Sequence, residues 1–379
     1  MSNTTEFEFT ELLKQKLEEA LKQRGKVNIL IAGKTGVGKS TLINAVFEGN
    51  LAETGDGRPV TMTTREFVKE GIPLSIFDTR GLEISEYNNA IQELEKLIQD
   101  KRKSEDPNQH IHIAWVCVLE DSRRVEDAEI KLVEMLDKYI PVVGVITKSV
   151  EDAGFRQTVQ ELLPRTRNVV RVLAKERVLD GGYKIPAMGL EKLVDLSMNL
   201  VPETQKNAFA AAQRVSLNHK LQRAHAIVGG FAATAGGFGA VPLPFADAIA
   251  IIPVQVSMLA GITAVWGLPL STAFLGTLVS GALTGSTGTV VGRVAVGALL
   301  KLIPGAGSVV GGVINAGVAA ALTTAFGEAY IATLYMLTKD NPGRIFTAEE
   351  IRDEFMRQLM AHNKETEAGL TNRPFTHHA

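Results

Sequence analysis

The stretch Val27-Asn28-Ile29-Leu30-Ile31-Ala32-Gly33-Lys34-Thr35-Gly36-Val37-Gly38-Lys39-Ser40-Thr41 decides how this chain folds. Val27–Ala32 reads as a buried strand and Thr41–Phe47 as a helix, with a glycine-rich turn between them. That turn, Gly33–Ser40, fits the pattern G-x-x-x-x-G-K-[ST] of a phosphate-binding P-loop. Glycines let the loop curl so that successive backbone N–H groups point inward at phosphate oxygens. The helix that opens there brings its positive end to the same point. Lys39 is expected to reach the β- and γ-phosphates of a nucleoside triphosphate, and the Ser40 hydroxyl to bind Mg²⁺. Gly33, Lys34, Thr35, Gly36, Val37, Gly38 and Thr41 complete the expected phosphate-binding set.

Outward from this loop, Pro73–Asp78, Ile111–Leu119, Val142–Thr147 and Val169–Leu173 are further β-rich runs. Helical patterns at about 41–48, 85–103, 125–139, 153–164 and 188–200 separate most of them. Strands alternating with helices of this length form βαβ units with right-handed crossovers. The expected fold is therefore α/β, a P-loop NTPase of the Ras-like kind, with a mostly parallel sheet covered by helices on both faces. Asp78-Thr79-Arg80-Gly81 ends one strand with a D-x-x-G pattern. There Asp78 would hold Mg²⁺ through water, and the Gly81 N–H would sense the γ-phosphate. Between the two motifs, Arg58–Arg65 carries three threonines. Thr61 is the first choice to complete the metal shell, with Thr63 and Thr64 as alternatives. Lys39, Thr61, Asp78 and Gly81 make up the expected catalytic set, and Ser40, Thr61 and Asp78 the metal set.

Over residues 26–178 the sequence resembles the Era-like branch of the translation-factor-related GTPases, through GKTGVGKST, the Thr61 region and DTRG. The resemblance implies GTP and GDP as ligands, Mg²⁺ as cofactor and hydrolysis of GTP. It also implies that Thr147-Lys148 and Ala174-Lys175 grip guanine, since they stand where that family has [NT]-K-x-D and S-A-[KL]. Two departures stand out. Val150 occupies the place of the base-reading aspartate and cannot accept the guanine N1–H and N2–H₂ donors; Asp152 is the nearest substitute. Leu82 follows Gly81, where some relatives carry a water-orienting glutamine, so slow hydrolysis is expected unless a partner or a second G domain supplies the group. Arg80 is a further candidate to stabilise transition-state charge.

The chain reads as four segments: an N-terminal amphipathic helix in 1–25, the nucleotide-binding domain in 26–205, an apolar Gly/Ala-rich all-α domain in 206–340, and a last helix and tail in 341–379. Thr10 can cap the first helix, whose Leu13, Leu17, Ala20 and Leu21 share a face suited to packing on the neighbouring domain or docking on a membrane. Thr347 and Glu350 form a capping box for the last helix, with Ile351, Phe355 and Leu359 as its stripe. The apolar domain resembles the uncharacterised YcjF-type helical domain, fused to GTPases in many bacteria, in stretches such as GGFGAVPLPFADAIAIIPVQ. That resemblance implies membrane association. Leu270–Gly292 is uncharged and long enough to span a bilayer, though rich in Ser, Thr and Gly. Gly305–Gly327 has similar length, and small residues at four-residue spacing suit close helix packing in lipid and in a soluble bundle alike. From Ala226 to Gly327 the only charges are Asp247, Arg293 and Lys301. Pro244, Ala246, Thr263, Trp266 and Gly267 recur sixty residues on as Pro304, Ala306, Thr323, Phe326 and Gly327, which suggests two related hairpins.

Bulk properties narrow the function. A formal net charge of −2 gives no general basic footprint, so no nucleic-acid partner is expected. One cysteine, Cys117 in an apolar run, excludes an internal disulfide and suits a reducing compartment, as a buried small hydrophobe. Met1–Thr10 is polar and acidic, unlike a signal peptide. The expectation is a cytoplasmic, membrane-associated GTPase switch that binds guanine nucleotide, a protein effector and, through its G domains, a second copy. The alternatives are a membrane channel or remodelling protein gated by the G domain, and a nucleotide-binding module without hydrolysis.

Overall fold

A computed structural model describes residues 2–49, 51, 58–62, 64–79, 87–238, 251–283 and 316–358. The chain forms two compact units, Arg24–Ser216 and a second made of Met1–Gln23 with Leu217–Ala379.

The first unit is built on a seven-stranded sheet. Its strands are β1 (Val27–Ala32), β2 (Arg58–Pro59), β3 (Thr64–Val68), β4 (Leu74–Thr79), β5 (Ile113–Leu119), β6 (Val142–Thr147) and β7 (Asn168–Arg171). Their order is β2-β3-β4-β1-β5-β6-β7. The five from β4 to β7 are parallel, while β3 runs antiparallel to both β2 and β4. Every residue of β1, β4 and β6 is buried, as sheet faces covered on both sides require of their strands. Helices α2 (Lys39–Val46), α3 (Tyr87–Arg102), α4 (Asp127–Asp137), α5 (Phe155–Leu162) and α6 (Leu190–Leu200) alternate with these strands. The α/β, mostly parallel P-loop architecture expected from the sequence is what forms. The antiparallel β2–β3 edge and a small hairpin of β8 (Arg177–Val178) and β9 (Lys184–Ile185) are additions to that expectation.

The first unit runs on to Ser216, past the boundary expected at residue 205. Helix α7 (Lys206–Ala212) and the turn after it belong to the first unit, because they close over the end of α2. Glu48 N–H donates to Ala212 O at 2.9 Å, and Arg214 N–H to Val46 O at 2.9 Å. The Phe47 ring stacks on Trp115 at 5.6 Å and meets Phe209 edge-on at 6.1 Å. Trp115 in turn donates its indole N–H to Ser197 of α6 at 3.0 Å.

The second unit contains α1 (Ser2–Arg24, up to Gln23), α8 (Leu217–Phe238), α9 (Ile251–Trp266), α10 (Thr272–Leu283), α11 (Ala316–Asp340) and a last helix, α12, at 348–358. The ends of the chain are not units of their own. Leu13 and Ala20 of α1, and Ile351 and Phe355 of α12, are buried in one core with Met258, Leu275 and Tyr330. The α1 stripe thus packs on protein, except that Leu21 is 37% exposed. Helix α1 already runs from Ser2, so Thr10 lies inside it and does not cap it. The Thr347–Glu350 capping box forms in both directions, at 3.0 and 3.2 Å. Gly327 permits the crossing of three helices, since a Cβ there would lie 2.5 Å from Val228 Cγ2 and 2.9 Å from Met258 Sδ. Gly267, its expected repeat partner, instead ends α9 with φ 82°. The two glycines therefore do different work. Pro244, Ala246, Asp247, Arg293, Lys301, Pro304, Ala306 and Leu359 lie outside the described residues. Among the described residues no helix is long and apolar enough to cross a membrane.

Candidate nucleotide-binding site

The Gly33–Ser40 loop leaves the C-terminal end of β1 and turns directly into α2. Gly33 has φ 147°, and a Cβ there would come within 2.6 Å of Cys117 O, so only glycine lets the loop pass this close to β5. Gly38 precedes α2 with φ 104°. Lys39 Nζ donates to Gly33 O at 2.7 Å and Lys34 O at 3.2 Å, and lies 3.8 Å from Asp78 Oδ1. The two charges meet because Ile31 of β1 pairs with Asp78 of β4. Asp78 is buried at 7% exposure. Ser40 and Thr35 are exposed at the loop surface, and Thr41 is half-buried. The Lys34 ammonium forms an ion pair with Glu126 just before α4.

Hydroxyl and carboxylate oxygens on Ser40 and Asp78 are hard donors, the type Mg²⁺ takes in small number beside phosphate oxygens. These residues fit the cation. Thr61 Oγ1 accepts the Thr64 N–H at 3.0 Å, so that hydroxyl serves a local turn ahead of β3. Of its alternatives, Thr64 is wholly buried in β3, while Thr63 lies outside the described residues, as do Arg80, Gly81 and Leu82.

The far side of the loop meets the end of β6. Thr147 Oγ1 donates to Val37 O at 2.6 Å, and Lys148 Nζ to Gly36 O at 2.8 Å. Lys148 adopts φ 52°, a conformation that a non-glycine residue keeps only when its surroundings hold it. Ala174 and Lys175 follow the Leu173–Met188 bridge, half-buried and exposed respectively. Ser149 N–H donates to Val172 O at 3.1 Å, tying the β6 loop to this segment.

One residue of the site escaped the sequence reading. The Glu120 carboxylate, 2% exposed beyond β5, accepts hydrogen bonds from Ser149 Oγ, from Val150 N–H and from Glu151 N–H, the last at 2.9 Å. Arg171 adds an ion pair at 3.1 Å. Burial alone would raise this acid, but the hydrogen bonds outweigh it and hold the carboxyl below its usual range. Arg123 reaches the same loop from below, donating to Glu151 O and Asp152 O at 2.6 Å each. The available signal was position: a carboxylate directly after a wholly apolar strand falls at the sheet edge where α/β proteins bind ligands. Cys117 stays inert beneath the loop, with burial pushing its thiol up to about 12.

A glycine loop between a buried strand and a helix, backed by a lysine and a neighbouring strand-end aspartate, is the geometry of a P-loop phosphate site. Residues 28–148 match the family described as 50S ribosome-binding GTPase, and residues 204–365 match a domain of unknown function, DUF697. Ribosome biogenesis GTPase A of Bacillus licheniformis is 43% identical over 76 residues, 19% of this chain and 26% of that protein. Septin-9 of Homo sapiens is 27% identical over 163 residues, 36% of this chain and 28% of that protein. The chain thus spans about a quarter of the length of these relatives. Among solved structures, the FeoB G-domain from Methanococcus jannaschii is 15% identical, with a TM-score of 0.27, covering 46% of this chain and 98% of that one.

Proposed function

We propose that this chain is a GTP-hydrolysing switch whose nucleotide state, read in the first unit, governs how the helical unit docks on a membrane or protein partner. The observation that carries it is the Lys39–Asp78 approach of 3.8 Å under a loop that opens α2. Loop amides and the α2 N-terminus would hold the phosphates, and the Lys39 ammonium would offset charge on the β- and γ-phosphates. Ser40 and Asp78 would hold Mg²⁺, which when bound neutralises phosphate charge and orients the γ-phosphate. Thr61 and Gly81 would sense that phosphate, Gly81 by its N–H. Thr147, Lys148, Ala174 and Lys175 would border the base. Turnover would be slow, because Leu82 cannot orient water; a second copy or an effector would complete the site. The ribosome belongs to the description of the matched family. With a net charge of −2 we propose no nucleic-acid partner for this chain.

Titration of the full chain with GTP and Mg²⁺ by calorimetry, with Lys39→Ala as control, tests the reading. Wild type binds, and the variant loses affinity at least a hundredfold. Equal binding by the two proteins removes the site assignment. Single-turnover phosphate release then separates a hydrolase from a module that only holds nucleotide.

A further inference from the structure

The geometry at the end of β6 points to a base pocket that accepts 6-oxopurine nucleoside triphosphates as a class and does not select guanine over hypoxanthine. This rests on the nucleotide reading above and deepens it. A guanine-selective pocket needs an acceptor for the N1–H and the exocyclic 2-amino group, and that acceptor is normally a carboxylate. Three residues here could bear on it. Val150 has no polar side-chain atom. Asp152, the nearest substitute, is drawn toward α5 and β7: its Oδ1 accepts the Arg156 N–H of α5 at 2.9 Å and lies 3.7 Å from Arg171 Nε. The third, Glu120, is turned beneath the loop, where Ser149, Val150, Glu151 and Arg171 take its oxygens.

The loop is therefore built and fixed without a base-reading carboxylate among the described residues. Glu120 positions the backbone that such an aspartate would ride on. Two features for a purine survive. The Lys148 stem, held against Gly36 O, offers an apolar wall to a ring face. The Ala174 N–H, just beyond the segment joined to this loop by the Ser149–Val172 bond, would be the donor to a 6-oxo group. Guanine and hypoxanthine share that oxygen; adenine has an amino donor in its place. The 2-amino group of guanine gains nothing here.

Displacement of a fluorescent GTP analogue from the full chain by GTP, ITP and ATP, with Mg²⁺ present, tests this. GTP and ITP are expected within about threefold of each other, with ATP weaker by about tenfold or more, the loss that goes with one mismatched polar contact. Val150→Asp is expected to raise the GTP-over-ITP ratio by about tenfold or more. A wild-type preference for GTP over ITP of tenfold overturns the inference, as does ATP competing as well as GTP. Should Val150→Asp misfold, the wild-type ratios alone decide. Failure of all three nucleotides to bind, or binding by Lys39→Ala equal to wild type, sinks the phosphate-site reading instead, so the two failures are distinct.

Discussion

Glu120 accepts from four donor residues at once, and protonation weakens that set by placing a hydrogen on one of the two accepting oxygens. Its acid is stronger in the folded chain than in the unfolded one. The resulting stabilisation is complete above the ordinary carboxylate range and drains away as pH falls through the lower folded value. Glu120→Gln removes this dependence, since an amide cannot titrate, and its NH₂ sets a donor against donors from which the carboxylate had accepted. Chemical denaturation between neutral pH and pH 3 should show the variant less stable near neutrality. Its acid limb should be flatter than that of wild type. Parallel acid limbs would mean the carboxyl does not titrate with folding. At the same scale, Lys39→Ala should abolish nucleotide binding while leaving the melting temperature of the nucleotide-free protein within a few degrees.

At the scale of elements, the helical unit depends on close approach. Replacing Gly327 by alanine gains about 1 kcal/mol of helix propensity. It also places a methyl 2.5 Å from Val228 Cγ2 and 2.9 Å from Met258 Sδ, and overpacking of this kind costs about 1–3 kcal/mol. The β-branched Val228 cannot swing aside as the Met258 thioether can, so the balance falls on the destabilising side. Thermal unfolding should show the helical transition lowered and the nucleotide-unit transition unmoved.

The strands legible in sequence, β1, β4, β5, β6 and β7, are apolar runs set off by polar turns and helical patterns. Thr64–Val68 was hidden because its alternation is short and mostly polar, and its strand character comes from pairing with β4. Helix α7 reads in sequence as the start of the apolar domain because AFAAA has that composition; the Phe47–Phe209 ring contact and the Glu48–Ala212 hydrogen bond join it to the first unit. In the candidate site, the loop between strand and helix fixes Gly33 and Lys39 locally, which is why spacing points to them, while Asp78 comes beside them through the pairing of β4 with β1. Glu120 offers in sequence only its place after an apolar strand, because the donors that define its role lie 29 to 51 residues away in the chain.

At the scale of the whole molecule, the two units have separate cores. Residues 24–216 expressed alone should fold and bind GTP with the affinity of the full chain. Deleting residues 1–23 removes Leu13 and Ala20 from the helical core. At about 1.5–3 kcal/mol for a buried leucine, that deletion should cost the helical unit several kcal/mol. Nucleotide affinity should stay within twofold. A fall in affinity would show that α1 serves the phosphate site.

The nucleotide unit is an insertion, in sequence, within the helical one, and this has a temporal consequence during synthesis. Helix α1 leaves the ribosome ahead of the nucleotide unit, yet the helices that cover Leu13, Leu17 and Ala20 are encoded after residue 216. A nascent chain must carry that greasy stripe uncovered while nearly two hundred intervening residues are made and folded, a long window for a chaperone to occupy it.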